Sequence, residues 1–331
     1  MNTMKPCGVR LLGTGSAVPD DILANQELAD QFNVDVDWIE QRTGIIERRI
    51  CSEDVGTFEL QSEALKQALE NTGLQGSDLS LIICASVTSE MTCPSNACRV
   101  AAEVNAAPAG AFDLVAACCG FVYAMNVADS LIRSGQYETI AVVGCDAMSK
   151  LTDRQDRGTS ILFGDAAGAA ILRRDDDPEL GCFYQNMHAD GEPWPALYIP
   201  KTESQVVEGD PSTTKLGCLR MQGKEVYKFA VSTFTRITEE LLNETGLKPD
   251  DVTQFICHQS NMRIIESAQE KLGLPDEKVY KNIRYFGNSS SGSAALCFDQ
   301  LWQAGKMKHG DTIVLLAFGG GLTWASSAWR L

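Results

Sequence analysis

The chain contains itself twice. Leu69-Glu-Asn-Thr-Gly-Leu74 and Leu242-Asn-Glu-Thr-Gly-Leu247 share Leu, Thr, Gly and Leu, and their glycines, Gly73 and Gly246, stand 173 residues apart. The same offset lays Asp78 on Asp251, Ile83 on Ile256 and Cys84 on Cys257. Farther along, Ser134-Gly135 with Thr139-Ile140 matches Ala304-Gly305 with Thr312-Ile313. Self-similarity of this kind marks a duplicated supersecondary unit. Two like halves related by a pseudo-twofold bring equivalent strand ends and loops together where they meet. At the spacing of Gly135 and Gly305, 170 residues, Cys118 falls opposite Asn288, while His258 directly follows the Cys257 that matches Cys84. One Cys, one His and one Asn are therefore expected at the junction of the halves.

Buried strands are read in Leu81-Ile-Ile-Cys84, Thr139-Ile-Ala-Val-Val143, Phe255-Ile-Cys257 and Thr312-Ile-Val-Leu-Leu316, apolar runs of the kind found in sheets covered on both faces. Amphipathic segments alternate with them. In residues 122–133, Val122, Met125, Ala128 and Ile132 share one helical face and Gly135 follows as a stop; residues 231–243 behave similarly. Alternation of this type predicts an α/β protein, here a layered fold from two duplicated βαβ-type halves. The polar cluster Arg173-Arg-Asp-Asp-Asp-Pro178 ends in a helix breaker. It places the boundary near residue 176, with halves 1–176 and 177–331.

At 331 residues and 44% hydrophobic, the chain can bury a substantial core. It has no apolar stretch near the roughly 20 residues that span a bilayer, and residues 1–19 lack a basic region followed by an apolar core. A soluble, cytoplasmic protein is expected, with no membrane partner. The formal charge of −16 argues against a nucleic-acid backbone as the main partner, which demands a basic face. Twelve cysteines accompany only three histidines and no Cys-x-x-Cys pair, so no metal is expected and most thiols read as small buried hydrophobes.

Two motifs fail on inspection. Gly13-Thr-Gly15 lacks the third glycine of a dinucleotide loop, since Val18 stands there. Gly287-Asn-Ser-Ser-Ser-Gly292 misses the serine-hydrolase spacing by one residue. By contrast, Ala111-Phe-Asp-Leu-Val-Ala-Ala-Cys118-Cys-Gly-Phe121 runs from an extended apolar segment through small residues into a helix. A cysteine at such a turn feels the positive helix end, which favours thiolate and predicts a pKa below the usual value of about 8.5. His258 opens His-Gln-Ser-Asn261 at a strand end, Asn288 sits in a loop before a small-residue helix, and Gly319-Gly-Gly321 allows backbone N–H groups to approach a ligand.

With these residues placed, the chain resembles the β-ketoacyl-acyl-carrier-protein synthase III family of the thiolase-like superfamily along essentially its whole length. The resemblance is carried by Gly13-Thr-Gly15, Trp38-Ile-Glu-Gln-Arg-Thr-Gly44, Ala-Cys118-x-Gly-Phe, Asp156-Arg-Gly-Thr159, Phe163-Gly-Asp165, His258-Gln-x-Asn261, Gly287-Asn288 and Gly-Gly-Gly-x-Thr-Trp324. It implies that Cys118 takes an acyl group from acyl-CoA. His258 and Asn288 would then stabilise the enolate formed when malonyl-carrier protein loses carbon dioxide. Backbone N–H groups of Cys118 and Gly320 would hold the oxyanion. It further implies CoA contacts at Trp38, Arg42 and Arg157, carrier-protein docking at Lys228, Arg263 and Lys271, a homodimer, and no cofactor beyond acyl-CoA as substrate.

The chain departs from the family pattern in three places. Cys119 stands where alanine is frequent, and Glu270 precedes Lys271 where a second lysine occurs. Cys93 stands where many relatives carry an aromatic that shortens the acyl pocket across the dimer interface. It is the expected acyl-pocket gate, and a primer pocket admitting more than acetyl follows. Among rivals, a thiolase needs a second cysteine where Ala317 and Phe318 stand, and no pocket glutamate marks a hydroxymethylglutaryl-CoA synthase. A papain-like amide hydrolase also uses Cys, His and Asn but lacks the duplication. A synthase-like acyltransferase of a specialised pathway and a non-catalytic partner subunit remain as alternatives.

Overall fold

The computed structural model describes residues 6–210 and 214–331. Its strands form two main sheets. The first contains β1 (Gly8–Ala17), β4 (Leu81–Ala85), β5 (Gly110–Leu114), β6 (Thr139–Ala147) and β7 (Asp165–Asp175) in the order β1-β7-β6-β4-β5. The second contains β8 (Gly181–Ala189), β11 (Gln254–Cys257), β12 (Thr312–Gly319) and β13 (Thr323–Arg330) in the order β11-β12-β13-β8. Read outward from β1 and from β8, the pairings agree step by step: antiparallel, antiparallel, then parallel. The partner of β5 in the second sheet is reduced to one parallel bridge, Phe255 to Val279. Short pairs β2 (Ile22–Ala24) with β3 (Glu47–Arg49), and β9 (Leu197–Tyr198) with β10 (Arg220–Met221), complete the strands.

The repeated helices fall into equivalent places. Helix α3 (Thr57–Thr72) covers the outside of the first sheet and stops at Gly73, φ 69°; α7 (Gly223–Thr245) covers the second and stops at Gly246, φ 71°. Between the sheets lie α5 (Gly120–Arg133) and α10 (Ser291–Gln303), which pack on one another and join both sheets in one core. Nearly every residue of the Ser291–Leu301 stretch is buried. A helix enclosed on all sides must be apolar or small all round, and Ser-Gly-Ser-Ala-Ala opens it. Phe121 meets Phe298 with ring centroids 5.9 Å apart, and Trp329 and Leu315 close over them from the second sheet. Helices α1 (Asn25–Phe32) and α2 (Val36–Thr43) form a satellite cap. The rest are α4 (Asn96–Glu103), α6 (Arg157–Ser160), α8 (Met262–Leu272) and α9 (Ile283–Phe286).

Two failed motifs find their reasons in packing. Gly13 and Gly15 belong to β1. A Cβ on Gly15 would sit 2.4 Å from the backbone nitrogen of Ala68, so the glycine lets α3 lie against the strand. A Cβ on Gly292 would sit 2.0 Å from the Ala166 carbonyl oxygen, which is how closely α10 approaches β7. Arg173, Arg174 and Asp175 continue β7 rather than breaking it; the chain turns in residues 176–180. The helix expected at residues 231–243 starts eight residues earlier, at Gly223. Among the described residues, no helix is long and apolar enough to cross a membrane and no His, Cys, Asp and Glu cluster could hold a metal ion.

Candidate active site

Cys118 lies in the 3-10 turn Ala117–Cys119 that leads from β5 into α5. His258 directly follows β11, where its N–H donates to the Leu316 carbonyl at 2.8 Å. Asn288 precedes α10 and is fixed through its backbone: its N–H donates to Leu162 O at 2.9 Å, and its carbonyl accepts from Gly164 N at 3.1 Å. The three side chains line one cavity of about 280 Å³. They are 9%, 1% and 6% exposed, so the reacting atoms stand almost entirely out of bulk water. Apolar groups, among them Met148, Leu162, Phe163, Leu197, Leu219 and Phe318, make most of the wall.

The glycine run after β12 closes over the sulfur. A Cβ on Gly319 would lie 2.9 Å from both the backbone nitrogen and the Cβ of Cys118, so only glycine permits this approach. The Ser290 hydroxyl and the backbone N–H groups of Cys118 and Gly320 favour the thiolate. Burial nevertheless pushes the Cys118 thiol up to about 12, outweighing these donors, and the Asp146 charge adds to the rise. Against the low pKa expected from the helix end, desolvation of a thiolate in an apolar cavity raises it. Cys119 is wholly buried, its thiol also raised by desolvation, and it faces Thr323 rather than the cavity.

His258 Nδ1 is 2.7 Å from the Ser293 hydroxyl, leaving Nε2 for the cavity. Phe318 packs edge-on against the ring, centroids 5.5 Å apart. Burial holds the imidazole pKa down to about 3, against a smaller upward pull from the Ser290 carbonyl, so the ring is neutral at physiological pH. Asn288 Oδ1 accepts from Ser290 N at 2.9 Å, which turns its Nδ2 donors away from that bond; one reaches Ser260 O at 3.5 Å. The cavity thus holds a sulfur with N–H groups on one side and N–H donors of His and Asn on the other. Such donors, fixed in a dry site, favour negative charge developing on oxygen.

Trp38 and Arg42 share a face of α2, and Arg157 opens α6, which Asp156 caps by accepting from Gly158 N at 2.9 Å. The guanidinium carbons of Arg42 and Arg157 lie 4.8 and 5.1 Å from the Trp38 ring centroid. Asn261 caps α8 and donates to the Arg42 carbonyl at 3.1 Å, tying this cluster to the His258 loop. Lys228 on α7 and Arg263 and Lys271 on α8 are exposed; Arg263 lies 5.7 Å from the ring of Tyr227, a cavity residue. Lys271 stands two turns farther along α8, about 12 Å at 1.5 Å per residue. Cys93 is exposed on the loop before α4 and is not part of its own chain's cavity.

A sequence model described as 3-oxoacyl-[acyl-carrier-protein (ACP)] synthase III matches residues 112–191, and its C-terminal counterpart matches residues 242–331. The β-ketoacyl-[acyl-carrier-protein] synthase III of Caldanaerobacter subterraneus is 42% identical over 318 residues, covering 96% of each chain. The chain belongs to the 3-oxoacyl-[acyl-carrier-protein] synthase III family. Among solved structures, synthase III of Aquifex aeolicus superposes with a TM-score of 0.90 at 38% identity, covering 98% of this chain and 100% of the other. The priming β-ketosynthase of the R1128 polyketide biosynthetic pathway gives a TM-score of 0.91 at 34% identity, covering 100% and 98%. Both family matches take in site residues, Cys118 in one and His258 and Asn288 in the other.

Ser290, Ser293 and Asp146 support this synthase III site and escaped the sequence reading. The serines lay in the loop judged only against a hydrolase elbow. Asp146 lay at the end of an apolar run, where an acid with no charged neighbour in sequence was itself a signal of an internal role.

Proposed function

We propose that the chain condenses an acyl group from acyl-CoA with malonyl-carrier protein, giving β-ketoacyl-carrier protein with loss of CoA and carbon dioxide. The observation that supports this most is the meeting, in one apolar cavity, of the Cys118 sulfur, the Gly320 N–H and the side chains of His258 and Asn288. Cys118 attacks the acyl-CoA carbonyl, and the oxyanion is stabilised by the N–H groups of Cys118 and Gly320. CoA leaves and the acyl group stays as a thioester. The malonyl thioester carbonyl then accepts from His258 Nε2–H and Asn288 Nδ2–H, and loss of carbon dioxide leaves an enolate that attacks acyl-Cys118.

A neutral imidazole suits this step, because it donates a hydrogen bond without being acidic enough to quench the carbanion. Ser293 sets the tautomer by turning its single proton onto Nδ1. The Ser290 carbonyl then keeps the Ser293 N–H, at 3.2 Å, as its donor. The adenine of CoA enters between Trp38 and Arg157, exchanging one cation–π contact for a stack, with Arg42 beside the phosphates. Arg263, Lys228 and Lys271 meet the acidic carrier protein, whose steering depends on the field at the mouth rather than on total charge. The copies pair as a homodimer through the open edge of β5, where Phe112 and Val115 are 37% and 74% exposed, since an apolar unpaired edge invites a strand. That places Cys93 near the junction.

The test is condensation by His258→Ala and Asn288→Ala. Each should still take an acyl group from acyl-CoA yet lose roughly 10²- to 10³-fold in condensation, the usual cost of one oxyanion donor. Condensation at the wild-type rate would refute the assignment. The R1128 likeness supports a second reading, a specialised acyltransferase. Product formed with an amine or alcohol acceptor, and none with malonyl-carrier protein, would favour it.

A further inference from the structure

The direction of the Asn288 amide hangs on one bond. The Asn288 backbone is fixed on both sides, by Leu162 O and Gly164 N, but Nδ2 points where the Ser290 N–H sets it, by donating to Asn288 Oδ1 at 2.9 Å. The amide's other contact, from Nδ2 to Ser260 O, is long at 3.5 Å. Ser290 presents its N–H from an unfavourable conformation. Its φ and ψ are 50° and −122°, outside the regions that L side chains favour and open to glycine without a steric cost. A residue so placed persists only where its surroundings over-determine it.

The peptide unit that follows is gripped at both ends. Its carbonyl, Ser290 O, accepts from Ser293 N at 3.2 Å, and its N–H, on Ser291, donates to Asp146 Oδ2 at 3.0 Å. Asp146, 0% exposed at the end of β6, is a rigid anchor for that grip. Its Oδ1 accepts from Ser86 Oγ, Val87 N and Thr88 Oγ at 2.9, 2.8 and 3.1 Å. Each hydroxyl in turn accepts a backbone N–H at 2.9 Å, Ser86 Oγ from Thr88 and Thr88 Oγ from Ala147, which leaves its own proton for the carboxylate. The carboxylate also stands at the N-terminus of α10, where negative charge is favoured. Three donors thus pin one oxygen, and the other oxygen is left to Ser291.

We infer that Asp146 is a positioning residue for condensation. Through the Ser291 N–H it keeps Ser290 in its glycine-like conformation, and the Ser290 N–H in turn keeps the Asn288 amide aimed at the malonyl carbonyl. The connection runs through backbone alone; the Ser290 hydroxyl takes no part and no proton moves. This inference rests on the reading of Asn288 as a donor to the malonyl thioester, so its test has a kinetic and a structural readout.

The variant is Asp146→Asn, whose amide replaces only one acceptor oxygen. That oxygen stays with the donors of residues 86–88, and the NH2 group is turned on the Ser291 N–H, releasing Ser290. Carbon dioxide release from malonyl-carrier protein by the acylated enzyme should fall about 10- to 10²-fold, roughly the cost of a misplacement of about 1 Å. Single-turnover acylation of Cys118 by acetyl-CoA, which does not use Asn288, should be no slower than in the wild type. Asn288→Ala combined with Asp146→Asn should condense as slowly as Asn288→Ala alone, because residues that act through one another do not add. Ser290→Gly added to Asp146→Asn should recover about tenfold or more, since glycine keeps the conformation without the grip. In the crystal structure of Asp146→Asn, Ser290 should have left its glycine-like φ and ψ, with its N–H off Asn288 Oδ1. Unchanged geometry at Ser290 and Asn288 overturns the proposal. So do equal losses in acylation and condensation, or losses that multiply when Asn288→Ala is added. Should Asp146→Asn fail to fold alone, the pair with Ser290→Gly, relieved of the backbone cost, decides: condensation more than about tenfold below Ser290→Gly overturns the proposal. A wild type that does not condense, with the structural shift present in Asp146→Asn, keeps the positioning role and sinks the synthase reading.

Discussion

Replacing Ser293 with alanine should separate the two half-reactions. Its hydroxyl lies 2.7 Å from His258 Nδ1 and 2.8 Å from Ser290 O and accepts from Gln259 N at 3.2 Å, all within a buried pocket. Without it, Nδ1 loses its donor and the Ser290 carbonyl beside the ring, an acceptor, draws the imidazole proton to Nδ1. One such hydrogen bond is worth about 1–1.5 kcal/mol. The Nε2–H tautomer therefore falls to roughly one molecule in ten, at about 1.4 kcal/mol per decade. Looser ring orientation adds to this, for a total of about 10- to 100-fold in condensation. The orphaned Gln259 N–H lowers stability by about 1–3 kcal/mol. Acyl transfer to Cys118, which does not use the ring, should stay within about threefold, well under the 1.4 kcal/mol that marks a decade. Stopped-flow acylation and carbon dioxide release measure the two steps separately. An equal loss in both, or none in condensation, would refute the tautomer argument.

Further outcomes follow from the same geometry. His258 has a folded pKa near 3 against about 6.5 unfolded, so its contribution is complete above pH 6.5 and lost as pH falls toward 3. Between pH 7 and 5 it costs about 2 kcal/mol of stability, and urea titrations of His258→Gln should show that portion of the pH dependence removed. Gly319→Ala sets a Cβ 2.9 Å from the Cys118 backbone nitrogen, so the nucleophile must shift; acylation should drop by about 10²-fold, read by single turnover. With cysteine rather than an aromatic at position 93 and a cavity of about 280 Å³, hexanoyl-CoA should prime condensation at a rate comparable to acetyl-CoA; Cys93→Phe should restrict the chain to short primers, read by comparing kcat/KM.

The duplication made the fold legible. Gly73 with Gly246 and Cys84 with Cys257 really do sit at equivalent helix stops and strand ends. What the pattern did not disclose was which helices lie between the sheets, because α10 signals enclosure through Ser, Gly and Ala rather than through large apolar residues. Cys118, His258 and Asn288 were readable because each closes a strand or opens a helix beside glycine or small residues. Ser290, Ser293 and Asp146 were not, since their work depends on contacts across 145 or 35 residues of sequence, as between Asp146 and Ser291 or His258 and Ser293. The sign of the Cys118 shift was also beyond the sequence: a helix end is visible there, but the depth of its burial is set by β12 and the glycines folding over it.

The central claim is that Cys118 carries the acyl group between two substrates. Intact-protein mass spectrometry of the wild type and Cys118→Ala, incubated with a series of acyl-CoAs and then malonyl-carrier protein, tests it most directly. One acyl mass on the wild type, absent from Cys118→Ala and cleared by malonyl-carrier protein, is the predicted result. Acylation that persists in Cys118→Ala, or that malonyl-carrier protein leaves in place, would contradict it.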